Sequence, residues 1–184
     1  MRSVLRQSWL AGSVLLAVGL DQWTKFLVKS TMSLYDSVEV IGNFFRITYI
    51  RNTGIAFGIL HNAQNDSRKL VLSILSLLAI GFLVYLYARS KKTVLDQLSV
   101  GFILGGACGN LYDRITHHFV VDFCDFGIAS HRWFTFNLAD SAIVLGLILL
   151  FVQILIEENQ KKKTAEMEAV RTGPGAEPRT GSGV

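Results

Sequence analysis

Four apolar blocks, at residues 9–28, 70–88, 94–112 and 138–156, constrain this chain more than any other feature. Each is 19 or 20 residues long, the length an α-helix needs to cross a hydrocarbon core of roughly 30 Å. Only 17% of the 184 residues are charged and 51% are hydrophobic, whereas a soluble domain carries about a quarter charged residues. Both prolines, Pro174 and Pro178, lie near the C-terminus, so none interrupts a block. The pattern predicts an all-α integral membrane protein with four transmembrane helices in one domain, residues 1–160. The first block follows Arg2 and Arg6, as a secretory signal would. It is long, however, no small-residue cleavage motif follows it, and Asp21 and Lys25 stand near its far end. It reads as a retained helix.

Basic residues in short loops set the orientation. Arg2 and Arg6 precede the first block, Arg89, Lys91 and Lys92 separate the second from the third, and Lys161, Lys162 and Lys163 follow the fourth. Both termini are therefore expected in the cytoplasm, with residues 29–69 and 115–137 facing outward. These three clusters account for the net charge of +4, and no nucleic-acid partner is implied. Cys108 and Cys124 have no metal-site spacing and read as small apolar residues.

The first outer segment departs from helical periodicity. Residues 38–50 are rich in β-branched and aromatic side chains around Gly42-Asn43, a hairpin signal. A small sheet over about 36–60 is expected at the outer membrane surface. Residues 161–184 mix Lys, Glu, Gly, Pro, Ser and Thr with few large apolar residues, and a disordered cytoplasmic tail is expected there.

Charged groups within a span are costly and demand a partner or a role. Asp21 and Lys25 share a helical face at separation four, either as an ion pair fixing helix depth or as part of a site. Gly101, Gly105 and Gly109 form a smooth ridge for close helix packing. The third block ends in Asn110, Asp113 and Arg114, and the fourth opens with Asn137 and Asp140 at separation three. Asp122, flanked by apolar residues, lies in the loop between them. With the expected topology, these groups converge at one depth on the outer side. Two nearby carboxylates tend to hold one proton between them, so one can activate water while the other protonates the substrate. Asp122 and Asp140 are the candidate pair for hydrolysis without a metal. No metalloprotease H-E-x-x-H motif is present, and His61, His117, His118 and His131 read as surface histidines.

These residues fall in five motifs. They are Asp21-Gln22-Trp23-Thr24-Lys25, Asn52-Thr53-Gly54-Ile55-Ala56-Phe57, the run Gly105 to Arg114, Val120-Val121-Asp122-Phe123, and Phe136-Asn137-Leu138-Ala139-Asp140. In this order the chain resembles the lipoprotein signal peptidases (type II signal peptidases) over residues 10–156. The resemblance implies a membrane aspartyl endopeptidase that cuts diacylglyceryl-modified prolipoproteins on the amino side of the lipidated cysteine. It implies catalytic Asp122 and Asp140, with Asp21, Lys25, Asn52, Gly54, Asn110, Asp113, Arg114 and Asn137 binding substrate or bracing the site. It also implies a β-sheet cradle, no cofactor, lipid-modified prolipoproteins and membrane lipids as partners, and a monomer in the bacterial cytoplasmic (inner) membrane. Phe134 stands where the family pattern has a proline, and the tail is longer than usual. A stretch from Asn52 to Leu60 is expected to act as a mobile lid, with Phe57, Trp133 and Phe134 covering the site.

Two other classes compete. A transporter would place polar groups along several spans, yet the second block has no charge before Arg89. A lipid-phosphate enzyme would use Asp21, Asp113, Asp122 and Asp140 as oxygen ligands to a metal, and a chelator would silence it.

Overall fold

The structure, a computed structural model, describes residues 8–53, 65–89, 93–128 and 130–172. Eight elements follow in chain order: α1 (Ser8–Thr31), β1 (Ser37–Ile41), β2 (Phe45–Asn52), α2 (Asn65–Arg89), α3 (Val94–His117), β3 (Val120–Ile128), β4 (His131–Arg132) and α4 (Leu138–Thr172). The architecture is mostly helical with one small antiparallel sheet, as the residue pattern predicts. The chain divides into two compact units, Met1–Leu150 and Phe151–Val184, with α4 starting in the first and ending in the second.

The glycine ridge is where α3 meets α1. A Cβ on Gly101 would stand 1.8 Å from Ser13 Oγ, one on Gly105 2.6 Å from Ala17 Cβ, and one on Gly109 2.6 Å from Asp21 Oδ2. Both helices therefore pack along rows at spacing four, small residue against small residue. The next residue, Gly106, presents its bare backbone to α4, where a Cβ would lie 2.3 Å from the Ala139 carbonyl oxygen. At its start α3 has a capping box. Thr93 Oγ1 accepts from Asp96 N at 3.1 Å, while Asp96 Oδ2 accepts from Thr93 N at 2.9 Å. His118 closes the helix in the left-handed conformation, φ 66°.

The sheet order is β1-β2-β3-β4. The β1–β2 hairpin turns at the expected place, with Gly42 at φ 45°, where a glycine has little steric penalty. The sequence pattern does not reveal strand β3. It pairs with β2 from Phe45↔Phe126 to Asn52↔Val120, and it is buried on both faces over most of its length, so it lacks the alternation that marks a half-buried strand. Val28, Tyr49, Val121, Phe123 and Cys124 form the core between the sheet and the helices. Phe126 stacks on Phe45 at 4.6 Å and on Phe136 at 5.7 Å between ring centroids.

The distribution of polarity is inverted relative to a soluble domain. Leu15, Trp23 and Phe26 on α1, Leu77, Leu78 and Phe82 on α2, and Leu147 and Ile148 on α4 are all exposed. Asp21, Lys25, Ser99, Asp113 and Asn137 are fully buried. Among the described residues two helices, Val94–His117 and Leu138–Ala169, are by themselves long and apolar enough to cross a membrane.

The second unit corrects the expected tail. Residues 161–172 continue α4 instead of being disordered. Lys, Glu, Ala, Met and Arg there are strong helix formers, and Glu158 pairs with Lys162 one turn on at 2.9 Å. Residues 173–184 lie outside the described residues.

Candidate active site

Asn137 is the N-cap of α4 and the centre of the site. Its Oδ1 accepts from Asp140 N at 3.0 Å, and Asp140 Oδ2 accepts from Asn137 N at 3.2 Å, a reciprocal cap that fixes the Asp140 carboxylate. Asn137 Nδ2 donates to Asp122 Oδ1 at 2.7 Å and to Asn110 Oδ1 at 3.2 Å. Asn52, at the end of β2, donates from Nδ2 to Asp122 Oδ2 at 2.9 Å. Asn110 donates from Nδ2 to Asp140 Oδ1 at 2.8 Å. The two carboxylates, standing on different elements, are thus both held by Asn137, Asp122 through its side-chain amide and Asp140 through its backbone N–H. Asp122 is almost fully buried on β3, and Asp140 is half-buried at the start of α4.

Behind this pair lies a second, deeper node. Lys25 Nζ donates to Asp21 Oδ2 at 2.8 Å, Asp113 Oδ2 at 3.0 Å and Asn110 Oδ1 at 3.0 Å, which uses all three of its N–H groups. Asp21 Oδ1 accepts from Ala139 N at 2.9 Å, and Asp113 Oδ2 accepts from Val121 N at 3.3 Å. Ala139 immediately precedes Asp140, and Val121 immediately precedes Asp122. A single buried ammonium therefore anchors the backbone beside each candidate carboxylate. The ion pair and the site role, both open at the level of spacing, are one arrangement.

Gln22 escapes reasoning from spacing. Its Nε2 lies 3.1 Å from Asp21 Oδ2, 3.2 Å from the Gly109 oxygen and 3.1 Å from Asp113 Oδ1, so it ties the carboxylates together from the other side. It is adjacent to Asp21 and three residues from Lys25, but its partners Gly109 and Asp113 stand on another helix, beyond the reach of helical periodicity.

Burial lifts the Asp122 carboxyl to about 6, above its ordinary value. Amide donation from Asn52 opposes the shift, the neighbouring Asp140 charge adds to it, and Asn137 and Lys25 pull it back. Arg114, in the last turn of α3, is in electrostatic contact with Asp140, Asp122 and Asp113. Burial likewise pushes the Cys124 thiol up to about 11, in keeping with an inert apolar role.

Of the expected residues, Asp21, Lys25, Asn52, Asn110, Asp113, Arg114, Asp122, Asn137 and Asp140 come together. Gly54 and Phe57, and with them most of the expected lid, lie outside the described residues. Trp133 is placed elsewhere than expected. Its N–H bonds to the Phe126 oxygen at 2.7 Å, and it lines an apolar cavity of about 340 Å³ with Phe44, Phe126 and Ile128 at the β3–β4 end. His117 is not a plain surface histidine, being half-buried against Lys29, Thr116 and Phe119. The four carboxylates of a metal reading are divided, two on Lys25 and two on asparagine amides. Among the described residues no group of three or more His, Cys, Asp or Glu is disposed to hold a metal ion.

The fold matches that of solved membrane enzymes. A bacterial membrane enzyme structure obtained by the in meso method at 2.3 Å resolution is 32% identical with a TM-score of 0.72, covering 83% of this chain and 90% of that one. A second, at 1.9 Å, gives 33% and 0.70, covering 79% and 92%. The lipoprotein signal peptidase of Alteromonas mediterranea is 39% identical over 178 residues, 97% of this chain and 91% of the relative. That of Acinetobacter baumannii is 41% identical over 158 residues, 86% and 89% respectively. The family model for signal peptidase (SPase) II matches residues 13–156, and the chain belongs to that family of proteases.

Proposed function

We propose that this protein removes the signal peptide from diacylglyceryl-modified prolipoproteins, cutting on the amino side of the lipidated cysteine, with Asp122 and Asp140 as catalytic residues. The observation that carries the reading is Asn137, whose side-chain amide holds the Asp122 carboxylate and whose backbone N–H holds that of Asp140, two carboxylates in unequal environments at one place. Burial favours the shared proton on Asp122, while the more open Asp140 is the base. Water attacks the scissile carbonyl carbon and gives a proton to Asp140, as Asp122 protonates the carbonyl oxygen. Collapse of the resulting gem-diol breaks the C–N bond. The proton on Asp140 goes to the leaving amine, and the diol hydroxyl returns its proton to Asp122. No metal is required, since Lys25 and the asparagine amides already occupy the carboxylate oxygens.

In this reading all four helices cross the inner membrane, both termini are cytoplasmic, and the monomeric enzyme works at the outer face. Exposed apolar side chains on α1, α2 and α4 support lipid contact. A membrane-held substrate then presents its scissile bond at the depth where α3 ends and α4 begins. Mass spectrometry of the products from a diacylglyceryl-modified precursor tests the substrate class. The expected cut falls immediately before the lipidated cysteine, with the unmodified precursor left intact. Equal cleavage of the unmodified precursor contradicts it.

A further inference from the structure

We propose that Lys29, His117, Phe119 and Arg51 form a binding site for the phosphate of an anionic membrane phospholipid, beside the active site and separate from it. The inference rests on the reading above, in which α1 and α3 end at the outer membrane surface. Lys29 lies in the last turn of α1 and His117 is the last residue of α3, with Lys29 Nζ and His117 Nε2 at 3.3 Å. The His117 ring lies 5.8 Å from that of Phe119. The opposite partner of Phe119 is Arg51 on β2, whose guanidinium carbon is 4.8 Å from the ring centroid. Three elements thus join two permanent cations and an imidazole in one run of contacts, from Lys29 to His117, from His117 to Phe119 and from Phe119 to Arg51.

Among the described residues these cations are not used up. There Lys29 meets the imidazole alone, and two of its N–H groups have no partner. Arg51 spends Nε on Tyr49 Oη at 3.0 Å and has no carboxylate among the described residues. Asp113, 4.0 Å from His117 Nδ1, is already committed to Lys25 and Gln22. A lysine at a helix C-terminus is favoured by the helix dipole, which explains Lys29 alone and not the imidazole and the ring that connect it to Arg51.

The surroundings point to a lipid as the source of the phosphate. Phe26, one turn inward from Lys29 on the same face, is exposed, as are Tyr112 and Ile115 on α3. Tyr112 packs its ring 6.3 Å from that of His117. Acyl chains would cover these apolar groups, and the cations directly above them stand at headgroup height. An arginine and a lysine at the two ends of one run of contacts suit a phosphate diester, with the planar guanidinium supplying paired donors.

The test titrates phosphatidylglycerol onto the full chain in detergent and counts bound lipid by native mass spectrometry. Each cation near an anionic lipid is a factor of about five in affinity. Lys29→Gln with Arg51→Gln should therefore weaken binding about 25-fold, and Lys29→Gln alone about fivefold. Lys29→Arg with Arg51→Lys, which keeps both charges, should stay within about threefold of wild type. Thermal melts establish that each variant is folded, and the single variant keeps the test decisive should the double variant be unstable. Diacylglycerol, which has no phosphate, should not compete. Equal binding of phosphatidylglycerol by wild type and the folded double variant overturns the site. If inorganic phosphate saturates the same cations as tightly as the lipid does, the lipid source is overturned. The readout needs no turnover, and Asp122→Asn should bind lipid as wild type does, so loss of the peptidase reading and loss of this one are separable.

Discussion

Asn137 caps α4, restrains Asp140 and donates to Asp122 and Asn110, so Asn137→Ala removes several functions at once. The account predicts at least a hundredfold loss of kcat, because the carboxylates lose their common support. Stability should fall by about 1–3 kcal/mol, from the missing cap and the unpaired buried groups, as read from chemical denaturation beside peptide turnover. The raised Asp122 carboxyl sets a pH dependence. In the free enzyme the active form carries one proton on the pair, so kcat/KM should fall as pH rises through about 6. Stability carries the same sign. A carboxyl lifted above its unfolded value stabilises fully at pH below the unfolded value of 3.8, and that contribution disappears as pH rises through about 6. The change is on the order of 3 kcal/mol at about 1.4 kcal/mol per unit, and it should be absent in Asp122→Asn. A wild-type profile flat between pH 4 and 8 contradicts this. At this scale the sequence was informative wherever two polar residues share a helix face, as with Asn137 and Asp140. It was silent where the partner is a backbone N–H supplied by tertiary packing, as for Asp21 with Ala139 and Asp113 with Val121.

Helix packing is where glycine spacing becomes chemistry. A methyl group on Gly109 would lie 2.6 Å from Asp21 Oδ2 and 3.6 Å from Ala139 Cβ. Gly109→Ala should push Asp21 away from Lys25 and from Ala139 N, cutting activity about tenfold or more while costing only about 1–3 kcal/mol of stability. Activity at the wild-type level in a folded Gly109→Ala protein contradicts the proposed anchoring through Asp21. The helices and the β1–β2 hairpin were legible because length, apolar runs and Gly42-Asn43 are local signals. Strand β3 was not, since its burial on both faces comes from β2 on its edge and the helices beneath it. The far end of α4 is illegible for a related reason. Its polar composition reads as disorder, although charged residues of high helix propensity can prolong a helix that begins elsewhere.

At the scale of the whole molecule, the proposed topology puts the sheet outside and the end of α4 inside. In a cysteine-free background, a single cysteine at Glu39 should react with a membrane-impermeant maleimide in intact spheroplasts, and one at Lys162 only after lysis. The reverse pattern contradicts the orientation. Inverted polarity, with apolar side chains outward and a charged node within, was foreshadowed by the four apolar blocks and the few charges set among them. How the node organises both carboxylates required the folded chain. The most direct test of the central claim is cleavage of a lipidated prolipoprotein peptide by purified protein in the presence of chelator, comparing wild type with Asp122→Asn and Asp140→Asn. The account predicts that wild type cuts at full rate and that both folded variants are inactive. Loss of wild-type activity in chelator, or near-full activity in either variant, contradicts a metal-free aspartate pair.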